Sequence, residues 1–247
     1  MRQLAQMGLS FRQEGGGLME RARIEAILAA RGWLAGCEPA LRRAILARTR
    51  PVCFSADEFV FHAGDLAGGI YGIAHGGIVV SVATAVAAPA IASILRAGMW
   101  FGNGPLVSDR RRMLSFHAAE TSVTLHLPLP AIRELSGTSI AAARSFADLA
   151  GFNMRAALRT VSDLLIPQTD RRIAATLLRV TRADEGEHPE NPAGFRLRQA
   201  ELGEMANASR RSVVRALAVF EARSWVALGY QRIAVADPVA LARFAYG

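Results

Sequence analysis

The sequence predicts an α+β chain with N-terminal helices, a small antiparallel β sandwich or barrel, a long helix, and a C-terminal winged helix-turn-helix. Three observations predict it. Short β-rich runs punctuated by glycine fill 51–129. One stretch with helical periodicity runs from Pro130 to about Leu165. Two helical patterns then flank Asn207-Ala208-Ser209 and precede two β runs around Gly229-Tyr230-Gln231.

Taken in order, residues 1–18 are rich in Gln and Gly, end in Gly15-Gly16-Gly17, and read as a flexible leader. Between 20 and 50, Ile24, Ile27 and Leu28 share a helical face, and Ala40, Ile45 and Leu46 follow a break near Gly36–Pro39. The runs EFVFHAGD, GGIYGIAHGG, IVVSV, AIASIL, SFHAAET and VTLHLPL come next. Strands with glycine turns at this spacing suggest a small sandwich or barrel. Residues 76–95 carry no charge, a run long enough to span a bilayer. Their Ala, Ser and Thr content and Pro89 favour two short strands, 78–82 and 90–95, and no membrane span.

In the long helical stretch, Phe146, Leu149, Ala150, Ala156, Ala157, Val161, Leu164 and Leu165 recur at three- and four-residue steps. A helix of about 25 residues is longer than a small domain needs. It suits a connector between two domains that packs against its own copy in a homodimer; a single domain-packing helix is the alternative. Pro167 ends it, and Thr169 is the candidate N-cap of the next helix, TDRRIAATLLRVT. A polar loop, DEGEHPENPAG, covers 184–194. The expected domains are a leader (1–18), a β-rich domain (19–135) that the resemblance named below makes the β-roll sensor, a dimerisation helix (136–167) and a winged helix-turn-helix domain (168–247).

The net charge is +8, and every basic residue is arginine. An Ala- and Arg-rich proteome would account for some of this. Arginine is also the side chain that reads phosphate and guanine bidentately, so an anionic partner gains weight. Residues 195–247 hold eight Arg against four acids.

Within RQAELGEMANASRRSVVRALAVFEA (198–222), a helix over 199–206 turns Leu202, Met205 and Ala206 inward. Ser209 is placed to cap the next helix. At about 100° per residue, Val213, Leu217 and Phe220 cluster on one face, with Arg211, Ser212 and Arg215 opposite and Arg210 in the first turn. The second helix of a helix-turn-helix enters the major groove with its N-terminal residues at base edges. Two β runs within 224–237 form the wing.

The chain resembles the Crp/Fnr-type (cyclic-AMP receptor protein-like) transcription regulators over roughly 20–245. The resemblance implies a cyclic-nucleotide-binding-like antiparallel β-roll, a dimerisation helix, a hinge at Asp170 and the winged helix-turn-helix. SRRSVVR (209–215) is similar to the family's S-R-E-T-V-x-R. That implies DNA-binding roles for Ser209, Arg210, Arg211, Ser212 and Arg215, with Arg210 and Arg215 on guanines and Ser212 on phosphate. Arg211 replaces the glutamate that accepts from cytosine N4, and arginine has no acceptor. A half-site different from the family's TGTGA is expected.

In the family a cassette of the form F-G-E-L-x-L, with R-S/T-A about ten residues after the Glu, holds a cyclic nucleotide. In FGNGPLVSDRRRML (101–114), Phe101 and Gly102 match, Asn103 stands at the glutamate position, and Pro105 removes a backbone donor. Met113 falls where the arginine belongs, just after Arg110–Arg112. Either Arg112 takes the phosphate role and an altered nucleotide or other anion binds, or the pocket is vestigial and the arginines are a solvated loop. Loss of ordinary cyclic-AMP binding is the favoured expectation. Gly102, Asn103, Arg112 and Met113 are the candidate effector residues.

Other chemistries lack their residues. The two cysteines, Cys37 and Cys53, are too few for a four-cysteine iron–sulfur cluster and read as buried thiols in a reducing compartment. His62, His75, His117 and His126 read as structural. No metal or catalytic residues are expected, and HExxH, GxSxG and GxxxxGK[ST] do not occur. The expected function is a cytoplasmic, dimeric regulator on pseudo-palindromic double-stranded DNA, with RNA polymerase a candidate partner. A ligand-independent regulator and a non-DNA interaction module are the alternatives.

Overall fold

Apolar residues at helical spacing fold 21–47 into three short helices, α1 (Arg21–Ala30), α2 (Gly32–Ala35) and α3 (Pro39–Ala47). Ile24, Leu28, Trp33, Leu34, Leu41, Ile45 and Leu46 are buried. Ala40 is exposed, and Leu41 takes the inward position in the first turn of α3. The computed structural model describes residues 11–12, 18–19, 21–83, 89–104, 111–183 and 194–247. Most of the expected flexible leader lies outside them, but β1 (Phe11–Arg12) and β2 (Leu18–Met19) pair antiparallel, so the leader is not uniformly unstructured.

Eight strands follow: β3 (Arg50–Phe54), β4 (Phe59–Phe61), β5 (Gly69–His75), β6 (Gly77–Val82), β7 (Ala90–Arg96), β8 (Trp100–Phe101), β9 (Ser115–Ala118) and β10 (Ser122–Pro128). They form two four-stranded sheets, β3-β10-β5-β8 and β4-β9-β6-β7. Pairing of β10 with both β3 and β5 is antiparallel, as expected for a β-roll. The uncharged run 76–95 supplies β6 and β7, and no helix among the described residues is long and apolar enough to cross a membrane.

The stretch from Pro130 is two helices rather than one. α4 (Leu129–Thr138) stops at Ser139, which is fully extended, and α5 (Ile140–Leu164) restarts with the Ser139 hydroxyl accepting from Ala142 N at 3.1 Å. Serine competes for backbone groups in this way and so marks helix ends.

By its internal packing the chain divides into two units, Met1–Ile78 with Leu95–Arg155, and Val79–Ile94 with Ala156–Gly247. In the first unit, α1 to α4 and the start of α5 bury one core with β5, β8 and β10. Cys37 is inside it, and burial raises its thiol pKa to about 11, which keeps it protonated and unreactive at neutral pH. Cys53, expected to be buried, is exposed on β3.

The second unit holds α6 (Thr169–Thr181), β11 (Phe195–Arg196), α7 (Gln199–Met205), α8 (Arg210–Ala222), β12 (Val226–Gly229), β13 (Arg232–Val235) and α9 (Pro238–Tyr246), with α6 packed on α7, α8, β13 and α9. The N-cap of α6 is Gln168, with no side-chain cap bond. Thr169, expected to be the cap, is already the first helical residue. β11 completes a three-stranded sheet, β11-β13-β12. Helix α9 has a legible start, Pro238 at its first position and Asp237 Oδ1 accepting from Ala240 N at 2.9 Å. It packs on α6, and Phe244 joins Phe220 and Trp225 in a ring cluster at 5.4–5.9 Å.

Candidate nucleic-acid interface and effector cradle

The turn between α7 and α8 is built by a glycine and a capping serine. Gly203 lets Ala208 N reach its carbonyl at 2.8 Å; a Cβ there would meet Ala208 O at 2.9 Å. Asn207 takes the left-handed conformation, which asparagine tolerates better than most residues. Ser209 Oγ then accepts from Ser212 N at 3.2 Å, so the predicted cap is formed, and the two hydroxyls lie 3.0 Å apart. Val213, Leu217 and Phe220 are buried as expected.

That burial leaves Arg210, Arg211 and Arg215 exposed on the outer face of α8. Beside them is a cavity of about 210 Å³, lined by Thr169, Asp170, Ser212, Arg215, Arg223 and an aromatic floor of Phe220 and Phe244. Two hydroxyls, two guanidiniums and the Asp170 carboxylate thus share this cavity. Arg223 lies over the Trp225 ring at 4.8 Å. Tyr230, at the tip of the β12–β13 wing, is 91% exposed.

Arg172, which no motif singles out, organises this unit. Its guanidinium donates to Ile166 O at 2.7 Å, Ala206 O at 2.6 Å and Asn207 O at 3.0 Å, joining the segment after α5 to the turn before α8. A second arginine, Arg179, is buried on α6 and donates from Nε to Asp163 Oδ2 at 2.8 Å. Burial lowers its pKa from the ordinary value, and Asp163 opposes the shift.

In the first unit, Arg112 is 5% exposed, so a solvated loop is the wrong description for it. It donates from Nη1 to Gly102 O at 2.7 Å and from Nη2 to Gly69 O at 2.9 Å. Its carbon lies 3.8 Å above the Phe61 ring. Phe101 and Phe116 stack at 4.8 Å, and Tyr71 on Phe101 at 5.5 Å, filling the space between the sheets. Burial lowers the Arg112 pKa, with Tyr71 and Asp65 opposing. Gly102, at φ +88°, is required here because a Cβ would come within 2.8 Å of Arg112 Nη1.

The candidate effector residues therefore part company. Gly102 and Arg112 meet directly, whereas Met113 is 81% exposed. Asn103 turns to the long helix, where its Oδ1 accepts from Asn153 Nδ2 at 2.7 Å. Arg111 donates to Gly64 O at 2.8 Å, and Pro105 and Arg110 lie outside the described residues. Among the described residues no three His, Cys, Asp or Glu side chains gather as a metal site.

Residues 51–139 match the cyclic nucleotide-binding domain family and residues 171–244 the Crp-like helix-turn-helix domain family. No curated protein matches the chain at a significant level. Among solved structures, FixK2 from Bradyrhizobium japonicum superposes with TM-score 0.68 at 16% identity, covering 81% of this chain and 98% of that one. TTHB099, a CRP-family transcriptional regulator from Thermus thermophilus, gives 0.63 at 21%, covering 79% and 97%. The c-di-GMP responsive global regulator CLP from Xanthomonas campestris gives 0.59 at 18%, covering 80% and 99%. At these identities the likeness speaks for the fold. With a cyclic nucleotide-binding domain and a Crp-like helix-turn-helix domain in one collinear order, the chain belongs to the Crp/Fnr-type DNA-binding transcription regulators.

Proposed function

We propose that the chain is a homodimeric, sequence-specific regulator whose β-roll no longer binds cyclic AMP in the ordinary way. The observation that carries the DNA-binding part is the capped α8 helix, with Arg210, Arg211 and Arg215 outward and its apolar face buried. Arg210 and Arg215 read guanine O6 and N7, Arg211 lies at the position that would otherwise read cytosine, and Ser212 sits by a backbone phosphate. Ser209 acts chiefly as the cap that orients them. Dimerisation is supported by the exposed stripe Met154, Leu158, Val161 and Leu165, whose four-, three- and four-residue steps suit packing against a second copy of α5. Two recognition helices would then lie about one DNA turn apart on a pseudo-palindrome. The reading includes a cytoplasmic location and RNA polymerase as a partner at promoters.

Selection of binding sites from random duplex DNA is expected to return an inverted repeat that departs from TGTGA at the base the missing glutamate would read. Recovery of unchanged TGTGA/TCACA would overturn the role given to Arg211. Recovery of no enriched sequence would count against specific DNA binding itself.

The loss of ordinary cyclic-AMP binding rests on Asn103. The resembling family accepts the ribose 2′-hydroxyl on a carboxylate here, whereas Asn103 offers a neutral amide whose oxygen is turned to Asn153. Arg112 keeps an anion-binding chemistry, which favours a different anionic effector over no effector, since its Nε has no partner among the described residues. Calorimetric titration with cyclic AMP and cyclic GMP is expected to give no micromolar binding, with cyclic di-GMP as the third ligand to test. Cyclic-AMP binding at micromolar concentration or tighter would refute the reading.

A further inference from the structure

We infer that Asn153 is a positioning residue that ties the effector cradle directly to the long helix, setting the helix rotation on which DNA binding depends. The inference rests on the DNA-binding reading above. It starts from two hydrogen bonds made by one amide group, Asn153 Nδ2 to Asn103 Oδ1 at 2.7 Å and to Trp100 O at 3.1 Å.

Chemistry orients these groups unambiguously. A backbone carbonyl only accepts, so the nitrogen of Asn153 must face Trp100 O, and Asn103 must then present its oxygen to the same nitrogen. Both hydrogens of the Asn153 amide are used, and the Asn103 oxygen is thereby fixed toward the helix. Trp100 belongs to the core, fully buried on β8, and Gly102, adjacent to Asn103, holds Arg112. The helix is therefore anchored to the same short segment, 100–103, that carries the cradle.

A second grip lies eight residues earlier on α5. Trp33 Nε1 donates to Ser145 O at 2.6 Å, and Trp33 packs edge-on against Trp100 with ring centres 5.5 Å apart. Two attachments about two turns apart hold both the position and the rotation of the helix. Beyond Asn153 the apolar side chains of α5 become exposed, beginning with Met154 and Leu158. The amide pair is thus the last hold before the stripe assigned to the dimer, and it decides which face that stripe presents.

The test uses the full-length chain and its selected DNA site, with affinity, oligomeric state and thermal unfolding recorded for every variant. Asn153→Ala and Asn103→Ala are each expected to weaken DNA binding, by about tenfold for the former, which loses two neutral hydrogen bonds. Asn103→Asp keeps the acceptor and is expected to retain the parent affinity. The Asn103→Ala/Asn153→Ala double variant should fall well short of the product of the two single effects. A residue that merely stabilises the fold would not be spared by the conservative change, and its effect would follow the loss of folded protein. Unchanged affinity in Asn153→Ala, an Asn103→Asp variant as weak as Asn103→Ala, or fully multiplicative single effects would each overturn the inference. If Asn153→Ala does not fold, Asn103→Ala against Asn103→Asp still decides it. Absence of any specific site for the parent chain would instead count against the DNA-binding reading.

Discussion

Replacing Arg210 and Arg215 together by alanine is expected to abolish specific DNA binding while leaving the fold intact. Both side chains are exposed on α8, and neither makes a hydrogen bond or ion pair among the described residues, so the protein does not need them to fold. Each bidentate arginine–guanine contact contributes about 1–3 kcal/mol of discrimination, so the pair should cost about 2–6 kcal/mol, from roughly 30-fold upward. What remains is the attraction of the other arginines for phosphate, which falls steeply with salt. Fluorescence anisotropy with the selected site and a scrambled duplex, at two salt concentrations, measures both. The expected result is near-equal affinity for the two duplexes. A double variant that still prefers its site tenfold or more would mean that other residues read the sequence.

Removing the carboxylate of Asp163 is expected to have the largest effect on stability. The Asp163–Arg179 pair is nearly out of solvent, with side-chain exposures of 3% and 7%. Tyr246 adds a hydrogen bond from its hydroxyl to Asp163 Oδ1 at 3.4 Å. Asp163→Ala strands a buried guanidinium, and breaking one side of such a pair costs about 3–5 kcal/mol. Replacing both partners, as in Asp163→Leu with Arg179→Met, removes both charges together and should recover most of the loss. Urea unfolding followed by far-UV circular dichroism measures the change. A single variant with an unchanged midpoint, or a double variant no better than the single, would show that the pair does not hold the end of α5 to α6.

The elements that were legible in the sequence are those fixed by local rules. Val213, Leu217 and Phe220 had to be buried once α8 was a helix, and Ser209 had to cap it, so the outward arginines followed. The strands of 76–95 were readable because Pro89 and small residues outweigh a long uncharged run. Helix ends were harder. Ser139 breaks the stretch after Pro130 through one hydroxyl bond, and Gln168 displaces Thr169 from the cap position; neither carries a periodic signal. Helix α9 was missed although Asp237-Pro238 is a start signal, because the segment is short and follows a wing already counted as the end of the motif. The cradle was located by spacing, but its state depends on partners distant in sequence. Arg112 with Gly69 and Asn103 with Asn153 are separated by 43 and 50 residues, and no local pattern encodes such pairs.

The guanidinium of Arg172 donates to carbonyls in the segment just after one helix and at the end of another. Ile166 follows α5, while Ala206 and Asn207 follow α7, and the negative ends of both helix dipoles converge on this one cation. The joint between them accordingly has a resting angle. Turning one helix end away would stretch bonds that the other still holds, so the two ends move together. The turn that presents the arginines of α8 is thus fastened to the end of α5 through the Arg172 side chain.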